Sequence, residues 1–181
     1  MKLAASNSPA DRLVCGNALQ LPYKNTSFDL VFCHFFLLWL SDPEVALREI
    51  QRVVRTGGAV LAIAEPDYGG RIDYPEVFSE LGYQQTQALR RQGADPVMGR
   101  QLAHLFNKLG FKEIETGVLG AQWKTAEQGS DLKTEWRVLR SDLVDVISGN
   151  ELDNLQALDE QAMRNGSRVL YVPTFYAWGR K

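Results

Sequence analysis

Apolar positions follow two rhythms along the chain. From Phe28 to Phe36 they run almost unbroken and are rich in aromatic and β-branched side chains, the pattern of a central strand covered on both faces of a parallel sheet. Ala59 to Ala64 repeats that texture. Between them Ala46, Leu47, Ile50, Val53 and Val54 share one helical face, and Ser41-Asp42-Pro43-Glu44 ahead of them supplies a capping side chain and a proline in the first turn. Gly57 is placed to end that helix in a left-handed conformation. Strand, helix and strand at this length make one crossover unit of an α/β sheet. Arg12 to Cys15, closed by Gly16-Asn17, predicts a shorter strand before it.

Downstream the rhythm loosens. Asp67 to Tyr74 reads as a glycine-rich polar loop and Pro75 to Gln92 as a helix, broken by Asp95-Pro96. Leu102, Leu105, Phe106 and Leu109 form a further helical stripe that stops at Gly110, and Phe111 to Leu119 predicts a strand. Helices are expected over Leu132 to Ile147 and Leu152 to Met163, then a last strand over Arg168 to Trp178. No repeat or linker divides the 181 residues. One domain is expected, with a cofactor-side sheet region over 1–66, a helical insert or acceptor cap over 67–110, and closing strands and helices over 111–181.

Composition narrows the partners. A 45% hydrophobic chain can bury a substantial core, and a net charge of −2 from 20 basic and 22 acidic residues creates no positive field for nucleic acid or a membrane surface. The longest apolar run, Leu30 to Leu40, falls short of the roughly 20 residues a spanning helix needs. No secretory leader pattern precedes it, and the two cysteines are too few to staple a fold of this size, so a cytoplasmic location is expected. Cys15 and Cys33 read as small buried hydrophobes. With His34 and His104 the only histidines, no metal site is expected.

Residue types, order and spacing then point to a family. Gly16-Asn17-Ala18, Leu21-Pro22-Tyr23, Ser27-Phe28-Asp29-Leu30-Val31, Asp42-Pro43, Ala46-Leu47-Arg48-Glu49, Arg52-Val53 and Gly57-Gly58 resemble the middle of class I S-adenosylmethionine-dependent methyltransferases. The chain is most similar to the branch containing the ubiquinone and menaquinone biosynthesis C-methyltransferases. The ordered match covers Asp11 to Pro66, and Gly93-Ala94-Asp95-Pro96 with Gly99-Arg100 resembles a segment of some small-molecule methyltransferases. The resemblance implies a Rossmann-like α/β fold whose seven strands run in the order 3-2-1-4-5-7-6. This chain would supply strands 3 to 7, amino-terminally truncated, with a helical insert between strands 5 and 6. The family's glycine-rich cofactor loop and the acidic end of its second strand have no counterpart here.

The implied reaction is methyl transfer from S-adenosyl-L-methionine to a small-molecule acceptor, with S-adenosylhomocysteine as product. Because the glycine loop is absent, the alternative is an inactive remnant, or a small-molecule-binding, oligomerising protein on a partial methyltransferase fold. The apolar edge of Phe28 to Phe36 would then pair in a homodimer. A nucleotide-linked oxidoreductase is a weaker rival, since no Gly-x-Gly-x-x-Gly turn is present.

The resemblance places Asn17 and Ala18 against the cofactor's adenine, although Asn17 at a strand end also suits a simple turn. His34 and Phe35 fall where the fourth strand meets the cofactor. His34 is the candidate general base, with a hydrogen-bonded pocket wall as its plainer use. Glu65, Asp67 and Tyr68 follow the fifth strand at the sheet edge where such folds hold ligands, and are candidates for binding the acceptor. Arg100 either holds an acceptor carboxylate or phosphate, or caps a helix or pairs with Asp95. Trp39, Phe78, Tyr83 and Trp123 offer an aromatic acceptor pocket or plain core.

Overall fold

The computed structural model describes residues 14–120 and 129–181, the side chains of 129–133 excepted. In chain order its elements are β1 (Phe28–His34), α1 (Pro43–Val53), β2 (Val54–Pro66), β3 (Ile72–Tyr74), α2 (Ser79–Arg91), α3 (Leu102–Lys108), β4 (Lys112–Leu119), α4 (Gly129–Leu143), α5 (Gly149–Arg164), β5 (Val169–Tyr171) and β6 (Thr174–Arg180). Four strands make one sheet in the order β1-β2-β6-β4. β1 and β2 are parallel, and β6 runs antiparallel to both of its neighbours. This is the 4-5-7-6 run expected from the resemblance, and the fold is that of a Rossmann-like α/β methyltransferase domain.

α1 forms where its signals predict. The Asp42 carboxylate accepts from the Val45 N–H at 3.0 Å, Pro43 occupies the first turn, and Ala46, Leu47, Ile50 and Val53 are buried against the sheet. It ends at Val53, ahead of Gly57. Gly57 is left-handed (φ 74°) but sits in the irregular start of β2, where the register with β1 shifts between Phe28 and Leu30. The main core gathers Leu37, Leu47, Val60, Ala62, Leu102 and Phe106, with Phe106 and Phe111 rings 4.8 Å apart.

Two strand expectations need correction. β1 is covered on one face only: Val31 and Cys33 pack on the core, whereas Leu30 and Phe32 are 52% and 65% exposed. Val14 and Cys15 carry no regular structure and are exposed, so the strand expected over Arg12 to Cys15 is not seen at those positions, and its first two residues lie outside the described ones.

A second core lies beyond the sheet. β3 and β5 form a small antiparallel sheet in which Ile72 faces Tyr171, and Phe78, Leu81, Trp136, Leu139, Leu143 and Leu152 pack together between α2, α4 and α5. This cap draws on 129–171 as well as on the 67–110 stretch to which the hydrophobic pattern assigned it. The last strand accordingly splits into β5 and β6 at Val172-Pro173, because proline cannot donate to a ladder.

Candidate functional site

The carboxyl ends of β1 and β2 and the start of β6 share one edge of the sheet, since Pro66 faces Thr174 across the antiparallel ladder. Ligands of open α/β sheets bind at such an edge. Two residues there sit in the left-handed region without being glycine: Phe35 (φ 48°), whose N–H donates to the Ile63 carbonyl at 3.0 Å, and Ala64 (φ 60°). Ala64 lies within a register shift between Ala62 and Glu65, and the bulge turns Glu65 inward. The Glu65 side chain is fully buried. Its carboxylate accepts from the backbone N–H groups of Phe36 and Leu37 at 2.9 Å each and of Leu38 at 3.1 Å. Glu65 therefore caps the single helical turn Leu37–Trp39 instead of facing an acceptor.

Asp67 and Arg100 hold each other. The guanidinium donates to both Asp67 oxygens, at 2.5 and 2.7 Å, and Asp67 also accepts from the Gly69 N–H at 3.0 Å. Hydrogen bonding to Asp67 raises the Arg100 pKa further above its ordinary value. Asp95, the partner first considered for Arg100, instead accepts from Val97 N–H and the Gln101 amide while donating its own N–H to Leu38. The turn that follows lies directly on β2: a side chain at Gly99 would meet the Glu65 carbonyl and the Phe175 ring at 2.6 Å each. Of the four acceptor candidates, Tyr68 lines two open clefts, whereas Glu65 and Asp67 are buried and Arg100, 54% exposed, is held by Asp67. Burial pushes its phenol above the ordinary range, so the hydroxyl stays protonated.

Among the cofactor candidates, Asn17 is exposed and its side-chain oxygen accepts from the Leu19 N–H at 2.9 Å, while its carbonyl accepts from Gln20 N–H at 3.0 Å. Ala18 is half-buried in that turn. His34 and Phe35 are exposed at the end of β1, and the Phe35 ring meets Trp39 edge-on at 6.3 Å. The aromatic group expected to form one pocket is dispersed: Trp39 stays beside Phe35, Phe78 is buried in the cap core, Tyr83 is 57% exposed, and Trp123 lies outside the described residues. Cys33 packs on the core as expected, and burial, reinforced by the Glu65 carboxylate, pushes its thiol up to about 12. Cys15, expected to be buried, is exposed.

Sequence reasoning missed the polar centre of the cap. Arg71 pairs with Asp73 at 2.5 Å, Asp73 with Arg168 at 2.9 Å, and Arg168 with Asp159 at 2.5 Å, all four side chains at most 6% exposed. Asp159 also accepts from the Trp136 indole at 2.8 Å, Gln85 accepts from Arg71 at 2.6 Å, and Arg168 lies 4.3 Å from the Phe78 ring centroid. Arg71 and Asp73 stand two apart beside the aromatic Tyr74, which is the alternation of a half-buried strand, and that was the one available signal. Next to this network a cavity of about 260 Å³ opens between Tyr68, Arg71, Gln85, Val138, Leu170 and Val172.

The fold is Rossmann-like α/β, with its open edge at the carboxyl ends of β1 and β2. Residues 1–62 match the methyltransferase domain model. A Streptomyces fradiae protein of 37.1 kDa from transposon Tn4556 is 32% identical over 83% of this chain and 45% of its own length. The demethylmenaquinone methyltransferase of Bacillus subtilis is 29% identical over 57% of the chain and 50% of its own length. The chain thus spans about half the length of these two relatives or less. An Anabaena variabilis structure assigned to methyl transfer in antibiotic biosynthesis superposes with a TM-score of 0.59 at 14% identity, covering 93% of this chain and 72% of that one. That likeness concerns the fold.

Proposed function

We propose that this chain takes part in methyl transfer from S-adenosyl-L-methionine to a small-molecule acceptor, bound between the carboxyl edge of β1 and β2 and the cap. The observation that carries the reading is the joint one of a parallel β1–β2 pair, an antiparallel β6 beside it, and a sequence match to the methyltransferase domain over 1–62. The residues fit the cofactor at the level of chemistry. Asn17 is exposed, and its side-chain oxygen keeps a second lone pair beyond the one used by Leu19, which suits an adenine amine; Ala18 N–H offers a donor beside it. His34 and Phe35 stand open at the end of β1, where the methionine end would lie. When bound there, the cofactor supplies an electrophilic methyl group.

The chain's own task is then to hold the acceptor still and dry, because positioning alone supplies a large share of the rate when the acceptor is already nucleophilic. The Glu65-capped turn fixes the backbone after β1, and the Asp67–Arg100 pair fixes the backbone after β2. For an acceptor that must lose a proton, His34 is the base within the assigned region. Calorimetric titration with S-adenosylhomocysteine tests the reading: micromolar binding weakened by Asn17→Ala supports it, and a folded chain that binds nothing refutes it.

A second reading rests on Leu30 and Phe32, whose exposure leaves an apolar face on β1. It makes the chain an oligomerising protein that covers this face with a second copy. Light scattering of the purified chain and of Phe32→Lys distinguishes them, since only a dimer through β1 becomes a monomer on that substitution.

A further inference from the structure

The geometry points to the cavity beneath the cap as the acceptor subsite, and we propose that it selects an uncharged, largely apolar small molecule. This inference rests on the methyl-transfer reading above and names the substrate class of that site.

Position comes first. Tyr68 lies two residues past the end of β2 and Val172 two residues before β6, and these strand ends face each other across the ladder. The floor of the cavity is therefore the carboxyl edge of the sheet. Its other walls come from Gln85 on α2, Val138 on α4 and Leu170 on β5, so the cap closes over the edge at this point.

Size and lining come next. At about 260 Å³ the space lies just below the roughly 300–1,000 Å³ of sites for drug-sized ligands, which suits a compact molecule of one or two rings. Val138, Leu139, Leu170 and Val172 supply an apolar lining. The charged group on the wall, Arg71, is already neutralised: its guanidinium spans Asp73 and Gln85 with 6% of the side chain exposed. An anionic ligand would have to compete with Asp73 for it, and the exposed Glu135 on the same wall adds a negative charge. Tyr68 offers the ligand a hydroxyl donor. The adjoining cleft of about 310 Å³, built from Ser79, Tyr83, Thr86, Gln87 and Arg90 beside Tyr68 and Arg71, has a more polar lining and suits the same molecule less well.

The test uses the full 181-residue chain and 2-naphthol as the neutral probe, with 2-naphthoate and 2-naphthylmethylammonium as charged counterparts, titrated with and without S-adenosylhomocysteine. Val138→Trp and Val172→Trp fill the cavity from opposite walls, and thermal melting checks that each remains folded. The expected result is naphthol binding that falls about tenfold or more in either folded variant while binding of S-adenosylhomocysteine is kept, with both charged probes at least about tenfold weaker on the parent chain. Naphthol binding that both folded variants retain overturns the site. A charged probe that binds as tightly as naphthol overturns the ligand class. Naphthol binding that responds to the variants, in a chain that never binds S-adenosylhomocysteine, upholds the apolar site and refutes the methyl-transfer reading alone.

Discussion

The sheet and the cap solve the problem of burying polar groups in opposite ways. In the sheet region the fully buried Glu65 has backbone N–H groups of the turn it faces as its partners. In the cap two arginines and two aspartates are buried as a chain of ion pairs, joined by Trp136 and Gln85. The first arrangement is local to one edge and saturates a single carboxylate. The second ties together segments far apart in sequence, Arg71 and Asp73 with Asp159 and Arg168, and each charge depends on another being in place. Burying charge in pairs costs desolvation that only good geometry offsets, so the cap is the more fragile half and the sheet the more self-sufficient.

The sharpest way to break this contrast is to remove one charge from the network. Arg168→Met leaves Asp73 and Asp159 short of a buried partner and should cost about 3–5 kcal/mol, measured by urea unfolding. If the two halves differ as described, cap signals such as Trp136 environment should be lost before the far-ultraviolet signal of the sheet. The matching change in the sheet, Glu65→Gln, keeps the shape but supplies only one acceptor oxygen to three N–H groups; a loss of about 2 kcal/mol is expected in the same assay. A smaller effect of opposite sign should follow Ala64→Gly. The backbone there is left-handed, so glycine should stabilise the chain by about 1 kcal/mol, and a loss would mean that the bulge carries no strain.

The smallest effect is chemical. Iodoacetamide at pH 8 should label Cys15 and spare Cys33, read by mass spectrometry of peptides. Burial raises the folded thiol of Cys33 from 9.0 to about 12. Above pH 9 the unfolded chain releases a proton that the folded chain keeps, so this group's contribution is intact below that pH and is lost as the pH climbs towards about 12.

The same contrast explains what could be read from the chain. α1 was legible because Asp42, Pro43 and the apolar stripe to Val53 are local signals that agree with one another. The β1, α1, β2 unit followed from it, and the sheet order from the family resemblance. The face of β1 was misread, because a continuous apolar run does not say which neighbours are present to cover it. β3 was hidden in what looked like a glycine-rich loop, since its partner β5 lies near the other end of the sequence and three residues carry no period. Glu65 and Asp67 looked like ligand-binding groups by position, and their capture by backbone and by Arg100 depends on distances that no local pattern encodes. Tyr68, next to them in sequence, is the one whose side chain reaches open space.

One feature of the sheet bears on how the chain is made. β6 follows β4 in sequence but lies between β2 and β4 in space. A chain emerging from the ribosome therefore has β2 and β4 made, with a vacant slot between them, before β6 follows. During that interval the facing edges of β2 and β4 have no partner, and the newborn chain depends on late insertion, or on a chaperone's shelter, to avoid joining its neighbours edge to edge.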